Sequence, residues 1–220
     1  MGILALATIG LAASASPPGR AERNAYVPAL SVDYRAIVRG LGEPPRAVDV
    51  GARLLEALSD RYERENPNCA LHEFVESGAT FLFDFASSIG APQEDRTIAA
   101  WAVTPATVAK RDVAYQRGFP LARGPEGQAV DRGHLIPHLS GGLFGPNMFR
   151  QNRALNRGWS TQGRQYRALE RSAAANPGAL YFGHLMYNDC SAYPSEIETG
   201  LLVGTELVVN RYNNRPTRGD

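Results

Sequence analysis

Short apolar segments separated by glycine, proline and polar turn residues dominate the chain from Thr80 onward. Segments of four to eight apolar or alternating residues between such turns are typical of β-strands. The pattern predicts strands at Thr80–Phe85, Ile98–Val103, Gln128–Ile136, Asn147–Gln151, Ala179–Met186, Glu198–Leu202 and Thr205–Val209, with a hairpin turn at Val203-Gly204. Combined with a helical region that precedes them, these strands favour an α+β fold with a mainly antiparallel central sheet.

Helical patterns lie on either side of the first strands. In Ala47–Arg64, apolar residues recur at three- and four-residue steps, and Asn66-Pro67 follows as a stop signal. Further helices are predicted at Asp33–Leu41, at Cys69–Glu76 with Gly78 as its end, and within Gln151–Ala175, interrupted at Gly158 and Gly163. The chain therefore divides into a helical N-terminal extension over residues 16–78 and a main domain over residues 79–220.

Residues 1–15 have the features of a secretory signal. Ile3–Ala13 is an uncharged, mostly apolar run that is too short to span a bilayer. It ends in Ala13-Ser14-Ala15, the type of small-residue site at which signals are cut. No Lys or Arg precedes the run, so a short helix packed on the domain and a mis-assigned start of the chain are the alternatives. We expect a secreted or periplasmic protein without stable membrane association.

The two cysteines, Cys69 and Cys190, are the candidates for a disulfide bond. In an exported protein such a bond would close a long loop, which the chain-entropy model values at roughly 4–5 kcal/mol. In a cytosolic protein two buried thiols are the expected alternative. Two isolated cysteines without Cys-x-x-Cys spacing do not indicate a zinc site.

Charge is concentrated in one segment although the whole chain carries a net charge of only +1. Residues 1–100 hold nine arginines and thirteen acidic residues, a balance of −4. Residues 131–171 hold seven arginines and two acidic residues, a balance of +5. A field concentrated in this way steers a polyanion even when the total charge is near zero.

The basic segment also holds the side chains that metal-assisted phosphodiester hydrolysis requires. That reaction needs an activated water, a cation on the phosphate oxygens and stabilisation of the leaving oxygen. His134 is the candidate general base, because a neutral imidazole accepts a proton near neutral pH. Asn156 is the candidate direct ligand of Mg²⁺ or Mn²⁺, and Glu170 the candidate ligand through water, since hard cations prefer oxygen and keep several waters.

Arginines are the candidates for phosphate contacts, because a guanidinium binds phosphate bidentately and opposes the charge that develops during attack. Arg132 is assigned to the catalytic centre, and Arg153, Arg157 and Arg167 are assigned to substrate binding. Asn147 either ties the second strand to the His-bearing loop or contacts the water shell of the metal. Asp131 orients a neighbouring group or only completes the turn.

Each of these residues also has an ordinary structural explanation. An Asp-Arg-Gly-His run is compatible with a turn that begins at a capping Asp131, and an Asn156 before Arg-Gly with a helix cap. The combination of a His, two Asn and a carboxylate in one arginine-rich stretch favours the catalytic interpretation over these separate ones.

Asp131-Arg132-Gly133-His134, followed by Leu155-Asn156-Arg157-Gly158, resembles the DNA/RNA non-specific endonuclease family. That family has a ββα-metal active site and a DRGH signature. The resemblance implies His134 as general base, Arg132 on phosphate, Asn156 as the Mg²⁺ ligand, Asn147 as its supporting Asn and Glu170 as the supporting Glu. The resemblance is specific over residues 131–170 and extends to the general pattern of strands and turns over residues 80–210. Residues 16–75 have no counterpart in the family.

The spacing of Asn156 and Glu170 is incompatible with one straight helix. Fourteen residues place the two side chains on one face but about 21 Å apart along the axis, too far for a single metal ion. Either the helix breaks near Gly158–Gly163 and folds back, or Glu170 has a structural role. Ser160 is a candidate cap for a second helix over Thr161–Ala175.

The remaining histidines and Trp159 are assigned roles outside the catalytic centre. A proline separates His134 from His138, which argues against a helical metal pair, so His138 is interpreted as a loop residue near substrate. His184 is predicted to be structural, and His72 a surface or internally satisfied residue. Trp159 is predicted to be a core anchor rather than a platform for base stacking.

The sequence thus predicts a Mg²⁺-dependent endonuclease that cleaves DNA and RNA with little sequence preference. Arginine contacts to phosphate bind strongly without reading bases. Two alternatives stay open at this level. One is a catalytically inactive relative that only binds nucleic acid, and the other is an interbacterial nuclease toxin with an immunity or inhibitor protein as its partner.

Overall fold

The described strands are β1 (Leu71–Glu76), β2 (Ala79–Asp84), β3 (Arg96–Val103), β4 (Val130–His134), β5 (Met148–Asn152), β6 (Leu180–Met186), β7 (Glu196–Val203) and β8 (Glu206–Asn213). Six of them form one antiparallel sheet in the order β1-β2-β3-β6-β7-β8. β4 and β5 form a separate antiparallel pair. In this computed structural model, residues 32–108, 110, 114, 118 and 130–215 are described. The predicted α+β fold with a mainly antiparallel sheet is confirmed.

The described helices are α1 (Tyr34–Arg39), α2 (Ala47–Glu65), α3 (Arg153–Arg157) and α4 (Thr161–Ala174). The helix prediction over Ala47–Arg64 is confirmed to within one residue. The short helix predicted near Asp33–Leu41 is also confirmed, and the Asp33 carboxylate caps it by accepting the Ala36 N–H at 2.9 Å. Short 3₁₀ turns lie at Ala86–Ile89, His138–Ser140 and Gly145–Asn147.

One face of the sheet is covered by α1 and α2. Val50 and Leu54 of α2 are at most 1% exposed and pack with Leu180 and Phe182 of β6. Burying one such leucine contributes about 1.5–3 kcal/mol, so this contact is a main source of stability for the N-terminal helices. No helix of the described residues is long and apolar enough to cross a membrane.

The opposite face carries the β4–β5 hairpin together with α3 and α4. Successive side chains of a strand point to opposite faces, so Tyr181 and Leu185 of β6 lie opposite Leu180. They join a core with Leu135, which follows β4, and Leu169 of α4. This packing holds the hairpin and the two C-terminal helices on the sheet.

The helix predicted over Cys69–Glu76 is wrong, because this segment forms the edge strand β1. Gly78, expected to end a helix, instead forms a two-residue hairpin turn with Ser77. Both residues have positive φ angles, 53° at Ser77 and 81° at Gly78. Phe74 then faces Phe81 of β2 across the hairpin, with ring centroids 5.9 Å apart. Cross-strand aromatic contact of this kind stabilises a sheet, and a short apolar run does not by itself distinguish strand from helix.

The other predicted strands are found, with ends that differ by a few residues. The last hairpin turn uses Gly204-Thr205, one position later than predicted, since Val203 pairs with Glu206. From Val32 onward the described residues belong to one compact unit, and β1 pairs along its length with β2 across the predicted boundary at residue 79. The proposed signal at residues 1–15, most of the loop at 105–127 and the start of the strand at Gln128 lie outside the described residues.

Candidate active site

The β4–β5 hairpin positions His134 at the end of β4. Its register pairs His134 with Met148, and the Leu135 N–H donates to the Asn147 carbonyl oxygen at 2.9 Å. The His134 carbonyl accepts a hydrogen bond from the hydroxyl of the buried Tyr166 at 3.2 Å. The backbone that carries the imidazole is therefore fixed from both β5 and α4.

Asn147 is a buried tie between β5 and the loop after His134. Its Oδ1 accepts the Ile136 N–H at 2.7 Å, and its Nδ2 donates to the carbonyl oxygens of Ile136 and Leu143 at 2.9 and 2.8 Å. The side chain is 1% exposed and does not line the cleft beside His134. Of the two roles considered for Asn147, the structure places it in the tying one.

The chain breaks between α3 and α4. Gly158 ends α3 in the left-handed region with φ 72°, and the Ser160 hydroxyl caps α4 by accepting the Gly163 N–H at 2.9 Å. Gly163 does not interrupt a helix as predicted but lies in the first turn of α4. A Cβ there would come within 2.6 Å of the Ala154 carbonyl oxygen, so glycine permits the close approach of the two helices.

This break resolves the spacing problem between Asn156 and Glu170. Asn156 lies on α3 and Glu170 on α4, and both line one cleft of about 310 Å³. The cleft is lined almost entirely by polar side chains: Arg132, His134, Pro137, His138, Asn156, Arg157, Arg167 and Glu170. The structure thus brings together residues that are spread over 39 positions of the sequence.

Asp131 anchors the side chains of α3. Its carboxylate accepts from Arg157 Nε at 2.7 Å and Nη2 at 3.1 Å, from Arg153 Nε at 3.1 Å and from Asn156 Nδ2 at 3.2 Å. Because the carboxamide nitrogen of Asn156 is held by Asp131, its oxygen points away from that carboxylate. Of the two roles considered for Asp131, the structure gives it the orienting one.

These contacts shift the ionisation of Asp131. Partial burial works to raise the pKa of Asp131, but hydrogen bonds from Arg157, Asn156 and Arg153 outweigh it and lower the pKa below its ordinary value. The anchor is therefore ionised at neutral pH. Its stabilising contribution is present above the ordinary carboxyl pKa and is lost as pH falls through the lowered one.

The predicted arginines fall into two groups. Arg153 and Arg157 form ion pairs with Asp131, so part of their positive charge is neutralised by that carboxylate. Arg132 and Arg167 line the cleft, and Arg167 Nη1 also lies 3.1 Å from Glu170 Oε2. Glu170 is 15% exposed at its side chain and faces this arginine across one helical turn.

The oxygen donors of the cleft fit a hard divalent cation. Asn156 offers a carboxamide oxygen and Glu170 a carboxylate, and Mg²⁺ accepts one or two protein oxygens while keeping several waters. Within the ranges that the structure describes, no group of three or more His, Cys, Asp or Glu side chains could hold a metal ion.

The other histidines have separate environments. His138 lines the cleft from the 3₁₀ turn after Pro137 and is 9% exposed. His184 is buried in β6, on the other face of the sheet, with Nδ1 3.1 Å from Glu198 Oε2. His72 lies on β1 with its ring edge-on to Phe85, centroids 5.3 Å apart.

Trp159 is not a core anchor, and that prediction is wrong. Its side chain is 62% exposed, directly after the glycine that ends α3. The Arg157 guanidinium carbon lies 5.0 Å from the centroid of its ring. The left-handed Gly158 turns the chain away from the core at this point, so the indole is directed to the surface.

Tyr166 is a positioning residue that was not identified from the sequence. Its hydroxyl holds the His134 carbonyl, and burial strongly raises the pKa of its phenol, so it acts as a neutral donor. The sequence feature that could have indicated this role is the position of Tyr166 four residues before Glu170, which places both side chains on one face of α4.

Cys69 and Cys190 are free cysteines, so the predicted disulfide is not formed in this structure. Cys69 is half-buried before β1, and Cys190 is exposed. The alternative of two buried thiols does not hold either, since only Cys69 is shielded from solvent.

A second cavity of about 390 Å³ lies away from the polar cleft. Its walls are mainly aromatic and apolar, including Phe74, Phe83 and Phe149. The polar side chains at its edge are engaged elsewhere: Thr97 donates to the Pro146 carbonyl oxygen at 2.5 Å. It is larger than the cleft, but its Asp95 accepts hydrogen bonds from Ser87 and its Arg96 donates to Tyr62, so the polar cleft is the candidate active site.

Comparison with known proteins adds no assignment. No protein-family model matches the chain, and no curated protein matches it. The case for a function therefore depends on the residues and geometry of the cleft.

Proposed function

We propose that this protein is a metal-dependent endonuclease that hydrolyses phosphodiester bonds in DNA and RNA without strong sequence preference. The observation that carries the proposal is the convergence of His134, Asn156 and Glu170, with Arg132 and Arg167, in one polar cleft. Base, oxygen ligands and phosphate-binding cations are the parts that this reaction requires. Their resemblance to the DRGH endonuclease family supports the same assignment.

The proposed catalytic unit is a ββα-metal unit made of β4, β5 and α3. The hairpin presents His134, and α3 presents Asn156 directly after it in the chain. Asn147 fixes the loop after His134, while Asp131 fixes the carboxamide of Asn156. The backbone that carries His134 and the side chain of Asn156 are thus both held in place, which preorganises the site.

In this proposal His134 is the general base. Its imidazole accepts the proton of the attacking water, and the Tyr166 hydroxyl holds its backbone in place. Asn156 and Glu170, the latter through water, are the residues that would hold Mg²⁺ or Mn²⁺. When bound, the cation would supply Lewis-acid stabilisation of the phosphate and of the leaving oxygen.

Arg132 and Arg167 are the proposed contacts to the scissile phosphate, since their guanidinium groups line the cleft. Arg153 and Arg157 hold Asp131 and add positive charge to the same side of the hairpin. Contacts to phosphate carry no sequence information, so the proposed enzyme is sequence-tolerant and its binding weakens with salt.

The test compares wild type with His134→Ala on plasmid DNA and on a structureless RNA, with Mg²⁺, with Mn²⁺ and with EDTA. We expect metal-dependent cleavage by wild type and a loss of about 10²–10⁴-fold in the variant. His72→Ala is the matched control, because it removes an imidazole from the sheet edge and leaves the cleft intact.

Cleavage by wild type that persists in EDTA, or full activity of His134→Ala, would contradict the proposal. Nucleic-acid binding without any cleavage would favour a catalytically inactive binding protein instead.

A further inference from the structure

The most exposed aromatic feature near the candidate active site is Trp159, at 62% exposure. A single exposed aromatic side chain is common on protein surfaces. What distinguishes Trp159 is that its indole lies against Arg157, a residue that lines the cleft. The other tryptophan, Trp101, is partly buried under α2, where its ring contacts Gly51.

The position of Trp159 is fixed although its ring is exposed. Its backbone N–H donates to the Ala154 carbonyl oxygen at 2.9 Å, and it lies between Gly158, which ends α3, and Ser160, which caps α4. Because the Trp159 backbone is held between two capped helices, little conformational freedom is lost when the indole binds a ligand.

Arg157 connects the ring to the cleft. Arg157 lines the cleft, and its guanidinium donates two hydrogen bonds to Asp131 and lies 5.0 Å from the indole centroid. The indole is therefore next to a residue of the cleft wall. Arg157 covers part of the ring, and the 62% exposure leaves a large part of the indole accessible.

We propose that Trp159 is a stacking platform for an unpaired nucleobase next to the phosphate that occupies the cleft. This inference rests on the proposed function and narrows its substrate class to single-stranded or locally unpaired DNA and RNA. A base in a duplex has both faces covered by its neighbours, whereas an unpaired base offers one to an aromatic side chain. Stacking of this kind is sequence-tolerant, because every base has a π-face.

The kinetic test compares wild type with Trp159→Ala on three phosphodiesters. They are a single-stranded oligonucleotide, a strand of equal length made of tetrahydrofuran abasic residues, and bis(p-nitrophenyl) phosphate. We expect KM for the base-bearing strand to rise about tenfold, the effect of losing one base–aromatic stack, with kcat little changed. KM for the other two substrates should stay the same, and Trp159→Phe should recover part of the loss.

Ile89→Ala is the matched control, since it removes an apolar side chain that is 55% exposed on a distant turn. An equal rise in KM for base-bearing and abasic strands would overturn the inference, because Trp159 would then act only by supporting Arg157. An unchanged KM for the base-bearing strand would overturn it as well.

A binding measurement separates this inference from the proposed function. In EDTA, where metal-dependent cleavage stops, the base-bearing strand should quench wild-type tryptophan fluorescence more than the abasic strand does. Trp159→Phe, which reports Trp101 alone, should show no such difference. Base-dependent quenching without hydrolysis of any substrate would support Trp159 as a stacking platform and contradict the endonuclease activity. Hydrolysis without base-dependent quenching would support the endonuclease activity and contradict the stacking role of Trp159.

Discussion

The two faces of the central sheet use the same kinds of polar side chain in different ways. On the face covered by α1 and α2, Glu198 accepts a hydrogen bond from Tyr34 at 2.6 Å and lies 3.1 Å from His184. All three side chains are buried and engage one another. On the hairpin face, His134 and Glu170 line an open polar cleft instead.

This difference shows that a histidine and a carboxylate indicate chemistry only through their surroundings. A buried polar group needs a partner, and the Tyr34–Glu198–His184 set supplies one to each of its members. A cleft beside an imidazole leaves room for water, metal and phosphate. The buried set on the helical face therefore contributes to stability, and the cleft on the hairpin face is where the proposed reaction takes place.

The largest expected effect comes from removing the proposed metal ligand. Asn156→Ala should lower kcat for plasmid cleavage by about 10³-fold, because a metal ion supplies several kcal/mol of charge stabilisation in the transition state. Gln165→Ala is the control, since Gln165 carries the same functional group on the exposed side of α4. A wild-type kcat in Asn156→Ala would contradict the assignment of Asn156 as a metal ligand.

The next effect concerns the helical face alone. Leu54→Ala should lower the free energy of unfolding by about 2–5 kcal/mol, since Leu54 is 1% exposed and its removal leaves a cavity between α2 and the sheet. Denaturant titration measures the loss. The kcat of the folded fraction should be unchanged, and a matching fall in kcat would show that the two faces are coupled.

Asp131→Asn should have an intermediate effect on the hairpin face. It removes the charge that holds Arg153, Arg157 and Asn156, and changes of this kind behind a metal ligand cost about 10–100-fold in metal affinity. The Mg²⁺ concentration for half-maximal activity should rise accordingly, while kcat at saturating Mg²⁺ falls less. Asp95→Asn, which alters a contact with Ser87 elsewhere, should leave the Mg²⁺ response unchanged.

The smallest effect is confined to acid pH. Burial works to raise the pKa of Glu198, but the neighbouring His184 and Tyr34 lower it to about 2, against an ordinary value of 4.5. Because folding lowers this pKa, the stabilisation is fully present above about pH 4.5 and is lost as pH falls toward 2. Glu198→Gln should flatten the acid side of the stability profile, measured as the unfolding midpoint at successive pH values. An unaltered profile would contradict this role.

Local patterns were sufficient to predict much of the fold. The periodicity of Ala47–Arg64 specified α2, and alternating or apolar runs specified most strands. Arithmetic on the helical rise left two possibilities, a break between Asn156 and Glu170 or a structural role for Glu170, and the structure has the break at Gly158–Ser160. The convergence of the site residues followed from that break.

Predictions failed where distant contacts decide the structure. Leu71–Glu76 forms a strand instead of the predicted helix because the Ser77-Gly78 turn brings it alongside β2, with which it pairs. Trp159 is predicted to be a core anchor, but it follows the left-handed Gly158 and its side chain is exposed. The tie made by Tyr166 depends on how α4 packs against the hairpin, which no local pattern encodes.

A reciprocal pair of variants tests the central claim most directly: His134→Ala and His184→Ala, measured side by side for kcat on plasmid DNA and for thermal stability. We predict that His134→Ala loses about 10²–10⁴-fold in kcat with a nearly unchanged Tm. His184→Ala should lower Tm, because it removes one of the two buried partners of Glu198 and leaves only Tyr34, and should keep its kcat while folded. Activity retained by His134→Ala and lost by folded His184→Ala would contradict the account.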